Sequence, residues 1–260
     1  MTNCTPKTKT LRVINYKKLF QEEKDALKRH CLRMYNSDCT LDFLASSFKR
    51  MFVSSAKKKK ISSFVYEVID YLKKNALNTL GIFRLPSNYN LTKKLTNHII
   101  NNERVPLEEY DHFTIVNSLK NYIREELDGL IPESVAISLE KNFKKETSFK
   151  NLEYFPFTLD EDRKDLLVAL FSLFKEVDSH SNVNLMNIDN ILLIVPPTIF
   201  PRVVQKNIKE FMPFVKFMKT VYELDYENVP VSFLKKEVNN KKYKINVKKN
   251  NKKYKIILKY

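Results

Sequence analysis

The chain has 260 residues, 43% of them hydrophobic and 29% charged, which is the balance of a globular protein and excludes collagen-like, mucin-like and wholly disordered classes. Two glycines stand where average usage of about 7% gives roughly eighteen, so a Gly-rich phosphate-cradling loop is excluded and a hairpin-rich sandwich or barrel is disfavoured. The net charge of +16 belongs to the ends. Residues 1–60 carry 15 Lys/Arg against 5 Asp/Glu, and residues 235–260 carry 11 lysines against Glu237 alone. Between them, residues 61–234 hold 20 basic and 24 acidic side chains, so a nearly neutral centre carries whatever the fold does.

In chain order, residues 14–35 have the spacing of an amphipathic helix with Leu19, Phe20, Leu27 and Cys31 on one face, and a shorter helix follows around Leu41 to Phe52. The run Lys57 to Lys60 cannot be buried and marks a boundary. Ser62-Ser63 can then cap a helix whose stripe is Phe64, Val65, Val68, Ile69 and Leu72. After a connection that contains Leu80-Gly81-Ile82-Phe83-Arg84, Asn90 can cap a helix with Leu91, Leu95, His98 and Ile99 on its face. Asp111 to Leu127 is a further helix with Ile115, Leu119, Tyr122 and Ile123 inward, and Gly129 stands where a helix end wants positive φ. Pro132 opens a helix to about Phe143, Thr158 caps a long one through Phe174, Met186 to Ile199 is strongly apolar, and Lys206 to Leu224 is the last helix expected.

The expected architecture is therefore all-α, a bundle of roughly seven to nine helices over residues 51–230, with an N-terminal helical extension over 1–50 and a lysine-rich tail over 231–260. In the tail, Tyr243, Ile245 and Val247 alternate with polar residues, and so do Tyr254, Ile256 and Leu258. That period suits a two-stranded hairpin; such a hairpin is marginal alone, and order gained only on an acidic partner is the alternative. Cys4, Cys31 and Cys39 have no paired framework, and His30, His98, His112 and His180 make no metal spacing with them, so a reducing compartment and no metal site are expected. The longest uncharged apolar stretch, Asn190 to Pro201, is too short to span a bilayer and holds three prolines. The expectation is a cytoplasmic protein, neither secreted nor membrane-spanning.

Three groups could carry chemistry. Gly81-Ile82-Phe83-Arg84 places one of the two glycines beside large apolar anchors and an arginine, an arrangement that would present Arg84 outward from a fixed base. Lys120 and Arg124 lie four apart on one helix face, and repel unless acidic groups such as Glu125 or Glu126 neutralise them. Asn184, Met186 and Asn190 precede Pro196-Pro197-Thr198-Ile199, where proline must end or kink an apolar helix.

In order and spacing these groups resemble the RhoGAP family, the GTPase-activating domains of Rho-family small GTPases. The resemblance rests on Gly81-Ile82-Phe83-Arg84, Leu119-Lys120-Asn121-Tyr122-Ile123-Arg124, Asn184-Leu185-Met186, and Asn190-Ile191 with Pro197-Thr198-Ile199, and it covers about residues 51–224. It implies that Arg84 is an arginine finger inserted into the nucleotide site of a GTPase, and that Lys120, Arg124 and Asn190 contact that GTPase. It further implies that Gly81, Phe83 and Pro197 are scaffold of the finger loop. No cofactor belongs to the chain on this reading, since GTP and Mg are held by the partner, and the protein activates an enzyme without being one.

Departures from the family pattern are Leu80 where it has Glu, Pro86-Ser87-Asn88 after the finger, and Asp128-Gly129 in the turn after the helix pair. They allow a second reading, a module that binds a GTP-bound Rho GTPase as scaffold or effector without accelerating hydrolysis. A third is a basic membrane-surface or nucleic-acid-binding helical protein, supported only by the charged ends. Nucleic acid is the weaker partner of the two, because no basic stripe with interleaved aromatics crosses the centre. The tail lysines suit an anionic inner-membrane surface.

Overall fold

A computed structural model describes residues 12–35, 59–131, 151–206, 211–238, 244–250 and 253–259. The helices expected around Leu41 to Phe52 and from Pro132 to Phe143 lie outside the described residues, as do Cys4 and Cys39. In chain order the elements are β1 (Val13–Asn15), α1 (Gln21–Tyr35), α2 (Phe64–Asn75), α3 (Tyr89–Asn101) and α4 (His112–Asn121), which continues into a π turn, Tyr122–Glu126. Then come α5 (Glu161–Ser179), α6 (Ser181–Asn184), α7 (Ile188–Ile194), α8 (Pro196–Ile199), α9 (Pro201–Lys206), α10 (Phe211–Tyr222), β2 (Asn228–Pro230), α11 (Val231–Val238), β3 (Lys244–Asn250) and β4 (Lys253–Lys259). The protein is thus mostly helical, as the spacing predicts. Among the described residues no helix is long and apolar enough to cross a membrane.

Contacts divide the chain into two units. The larger, within Asp38–Leu152 and Leu159–Leu224, is a helical bundle in which α2 packs on α4 and α5, α3 on α4, and α7 on α5 and α10. All five residues of the expected α2 stripe are buried, as are Leu95 and Ile99 of α3, Ile115 and Leu119 of α4, and Leu166, Leu167, Leu170 and Phe174 of α5. Each such side chain contributes about 1.5–3 kcal/mol on leaving water, so this interior holds the frame for everything at its surface.

Helix starts depart from the sequence reading in instructive ways. Asn88, not Asn90, caps α3: its Oδ1 accepts from the Asn90 and Leu91 amides, which leaves Leu91 exposed. Ser63 occupies the N-cap position of α2, but the oxygen that serves it comes from Asn102, in the left-handed conformation just past α3. Asn102 Oδ1 accepts from the Phe64 amide and from the Ser62 and Ser63 hydroxyls, so the end of one helix caps the start of another. Asp160 rather than Thr158 stands at the start of α5, while the Thr158 hydroxyl turns back to the Phe155 carbonyl.

The smaller unit comprises the described residues of Met1–Ser37, Glu153–Thr158 and Asp225–Tyr260. Its helix α1 begins at Gln21, not near residue 14, because residues 13–15 pair antiparallel with 228–230 and Asn15 turns the chain by accepting from the Lys17 amide. Phe20 is consequently exposed, and Glu23 reaches back to its amide as half of a capping box. Beneath lies an aromatic cluster: Tyr154 stacks on Phe233 at 4.3 Å, Tyr16 on Phe157 at 6.0 Å, and His30 meets Tyr154 edge-on. Cys31 is fully buried and free, and burial pushes its thiol well above the ordinary range. In the tail, β3 and β4 pair antiparallel with Ile245 opposite Leu258 and Val247 opposite Ile256, the hairpin whose period the sequence carries.

Candidate functional site

The loop between α2 and α3 leaves the bundle at Ala76 and folds back through successive turns, Thr79 N–H to the Ala76 carbonyl and Ile82 N–H to the Thr79 carbonyl. Gly81 then adopts φ +70°, where a side chain is strained, and its carbonyl accepts from the amides of Arg84 and Leu85. Ile82 and Phe83 are buried, the Phe83 ring meeting Phe174 of α5 edge-to-face at 5.3 Å. Phe83 also has φ +70°, unusual for a residue with a side chain, and costs roughly 1–2 kcal/mol that the buried ring offsets. Arg84 follows directly and is exposed. A sharp, anchored turn with one cation at its tip is the outcome.

Four neighbours fix this turn. Lys120 of α4 donates from Nζ to the Phe83 carbonyl at 2.9 Å. Asn117, one turn earlier, donates to the Leu85 carbonyl at 3.1 Å, and the Thr79 hydroxyl lies 2.6 Å from His112 Nδ1. On the opposite side the Gly81 amide donates to the backbone carbonyl of Asn184 at 2.8 Å. The Asn184 side chain is wholly buried and donates from Nδ2 to the carbonyls of Leu77 and Val177, while its Oδ1 accepts from the Met186 amide. One asparagine therefore ties the loop to the end of α5 and to the start of the segment before α7.

Electrostatics single out Lys120. Burial, and then the charge of Arg124 one turn on, push its ammonium down to about 8. Arg124 donates to Asn121 Oδ1 at 2.7 Å and pairs with Glu125 at 3.0 Å, the local neutralisation that the sequence allowed for. Asn190, exposed in the first turn of α7, donates from Nδ2 to the Leu185 carbonyl at 3.4 Å, and so stands beside the segment that holds Gly81.

Pro197 is half-buried in α8, whose last carbonyl, that of Ile199, accepts from the amides of Leu130 and Ile131. That helix supports the turn after the Lys120 helix. The same turn holds Gly129 at φ +83°, and Arg163 of α5 donates to the carbonyls of Leu127 and Gly129. Asn184, Asn117 and Arg163 have no role assigned from sequence, because each acts through a backbone group far away in the chain, and neither has His112, whose partner is the distant Thr79 hydroxyl. Asn184 alone had a signal, its place in the Asn-Leu-Met run.

Residues 62–203, more than half of the chain, match the model of the RhoGAP domain. The chain belongs to the RhoGAP domain family. Among its relatives, Rho GTPase-activating protein 24 of Homo sapiens is 30% identical over 143 residues, 52% of this chain and 19% of that protein. Rho GTPase-activating protein gacHH of Dictyostelium discoideum is 28% identical over 58% of this chain and 10% of its own length. The chain thus spans between about a tenth and three tenths of the first curated relatives it matches. Solved structures agree on the fold. Human Rho GTPase activating protein 15 superposes with a TM-score of 0.52 over 63% of this chain and 80% of that one, and the BH domain from GRAF with 0.51 over 62% and 93%, at 21% and 22% identity.

Proposed function

We propose that this RhoGAP domain accelerates GTP hydrolysis by a Rho-family GTPase, with Arg84 as the arginine supplied in trans. The observation that carries this is the pairing of an exposed Arg84 with a backbone held on both sides, by Lys120 at Phe83 and by Asn184 at Gly81. Phosphoryl transfer to water builds charge on the γ-phosphate oxygens and the leaving oxygen, and a positioned guanidinium donates several hydrogen bonds to them where water is excluded. Prior fixing of the turn means that little order has to be created when the complex forms. Lys120, Arg124 and Asn190 are the residues proposed to hold the GTPase. GTP and Mg belong to that partner.

Single-turnover hydrolysis by a panel of Rho-family GTPases, with a Ras-family control, tests the reading. Wild-type protein should accelerate at least one Rho member, and Arg84→Ala should lose on the order of 10³ or more of that rate while still forming the complex. Equal rates with wild type and Arg84→Ala would leave a binding module, the role that Leu80 and Pro86 in the finger region favour.

The tail is proposed to hold the domain at an anionic, cytoplasm-facing membrane surface, each lysine adding roughly 1 kcal/mol of attraction near the headgroups. Its support is the excess of 11 lysines over one glutamate in residues 235–260. Flotation with anionic vesicles should fall sharply when those residues are removed; equal flotation would refute the idea.

A further inference from the structure

Ten large apolar side chains are exposed among the described residues, and four of them surround the finger turn: Leu80 at 55%, Leu85 at 37%, Val183 at 50% and Leu185 at 56%. Their juxtaposition follows from one hydrogen bond. Gly81 N–H meets the Asn184 carbonyl at 2.8 Å, so Leu80 and the neighbours of Asn184 on either side, Val183 and Leu185, come to the same surface. Leu85 lies over Gly81, where a Cβ would stand 3.0 Å from its Cγ and Cδ1 and 3.8 Å from Arg84 Nη2. Scattered exposed aliphatics need no explanation, whereas a contiguous set around a functional group does.

Charge is distributed just as unevenly. In a chain with 29% charged residues, Arg84 is the sole charged side chain from Asn75 to Thr92, and Ser179 to Ile188 contains none beyond a histidine, His180. Within these two segments Arg84 is thus the sole charge beside the four aliphatic side chains, while the Lys120 ammonium is held at the Phe83 carbonyl behind it. An acidic neighbour would compete with phosphate for the guanidinium, and these two segments contain no Asp or Glu. Covered by another apolar surface, the rim lowers the local dielectric and strengthens the contact of Arg84 with phosphate.

Resting on the activator reading, we propose that Leu80, Leu85, Val183 and Leu185 form an apolar collar that seats on an uncharged, apolar surface bordering the nucleotide phosphates of the GTP-bound GTPase. Residues that ring the finger face the partner whenever Arg84 enters its nucleotide site, so the collar is continuous with the proposed interface. It supplies affinity through desolvation and seals the finger from water, and its contribution is insensitive to salt, unlike that of a lysine-rich surface.

The test uses the full chain and a Rho-family GTPase loaded with a non-hydrolysable GTP analogue. Leu80→Ser, Leu185→Ser and the double variant are compared with wild type and with Ile100→Ser, an exposed apolar residue on α3. Each collar substitution should weaken Kd about fivefold and the pair about twentyfold, at low and high salt alike, with unchanged melting temperatures. The stimulated rate at saturation should also fall, most in the double variant, because water then reaches Arg84, and Ile100→Ser should bind as wild type does. A double variant that binds like wild type, or an equal loss in Ile100→Ser, overturns the collar. Wild type that binds without accelerating hydrolysis refutes the activator reading alone, since the collar is judged by Kd; wild type that binds no GTP-loaded Rho protein refutes both.

Discussion

Lys120 Nζ lies 2.9 Å from the carbonyl oxygen of Phe83, the residue directly before Arg84, so a cation on α4 sets the backbone from which Arg84 projects. The bond is charge-assisted only while the ammonium is protonated, and burial together with Arg124 brings that transition to about 8. The folded pKa lies below the ordinary 10.5, so the cost of keeping this charge in the fold is full below pH 8 and is relieved as pH rises toward 10.5. Stability from this group thus rises with pH over the same window in which the hold on Phe83 weakens. The ratio of stimulated to intrinsic hydrolysis should fall through about pH 8 with no parallel loss of melting temperature, and Lys120→Arg should move the fall to higher pH. A ratio that stays flat to about pH 9 would count against this role.

Arg84→Lys keeps the charge but loses the planar fork of donors. Stimulated hydrolysis should drop on the order of a hundredfold or more, nearly as far as in Arg84→Ala, with Kd for the GTP-loaded partner changed by less than about threefold. Single-turnover rates at saturating domain check this, and near-wild-type rates for the lysine variant would show that only a positive charge is needed.

The two glycines should separate stability from activity. A methyl at Gly129 would fall on the carbonyl oxygen of Ile199, which is backbone and cannot move aside, at a position with φ +83°. Gly129→Ala should cost about 3 kcal/mol or more in urea denaturation. At Gly81 the methyl meets the flexible side chains of Leu85 and Arg84, so Gly81→Ala should cost about 1–2 kcal/mol and act mainly on the stimulated rate by shifting the turn that carries Arg84.

Asn184→Ala removes both donors from the buried Leu77 and Val177 carbonyls and the acceptor of the Met186 amide. The expected loss is about 2–4 kcal/mol, because buried polar groups are left unpaired. Asn184→Asp, which sets a carboxylate against two carbonyl oxygens, should be worse despite its near-identical shape. Equal stability of the aspartate variant and wild type would show that the amide is not the tie described above.

Part of this could be read from the chain alone. Helical spacing determined that α2 buries Phe64, Val65, Val68, Ile69 and Leu72, because a 3.6-residue period commits one face to the interior whatever it meets. The rarity of glycine pointed to Gly81 and Gly129 as positions of positive φ, and the order of short motifs pointed to the RhoGAP family and to Arg84.

Long-range pairing decided the rest. That residues 13–15 would join 228–230 in a strand pair, that Asn102 would cap α2, and that Asn184 would hold the finger loop from 107 residues away are not functions of local spacing. A backbone donor or acceptor looks the same in every residue, so sequence cannot say which distant partner satisfies it. Only the packing of the helices brings Lys120, Asn184 and the aliphatic rim to one loop, and that convergence turns an ordinary surface arginine into a positioned one.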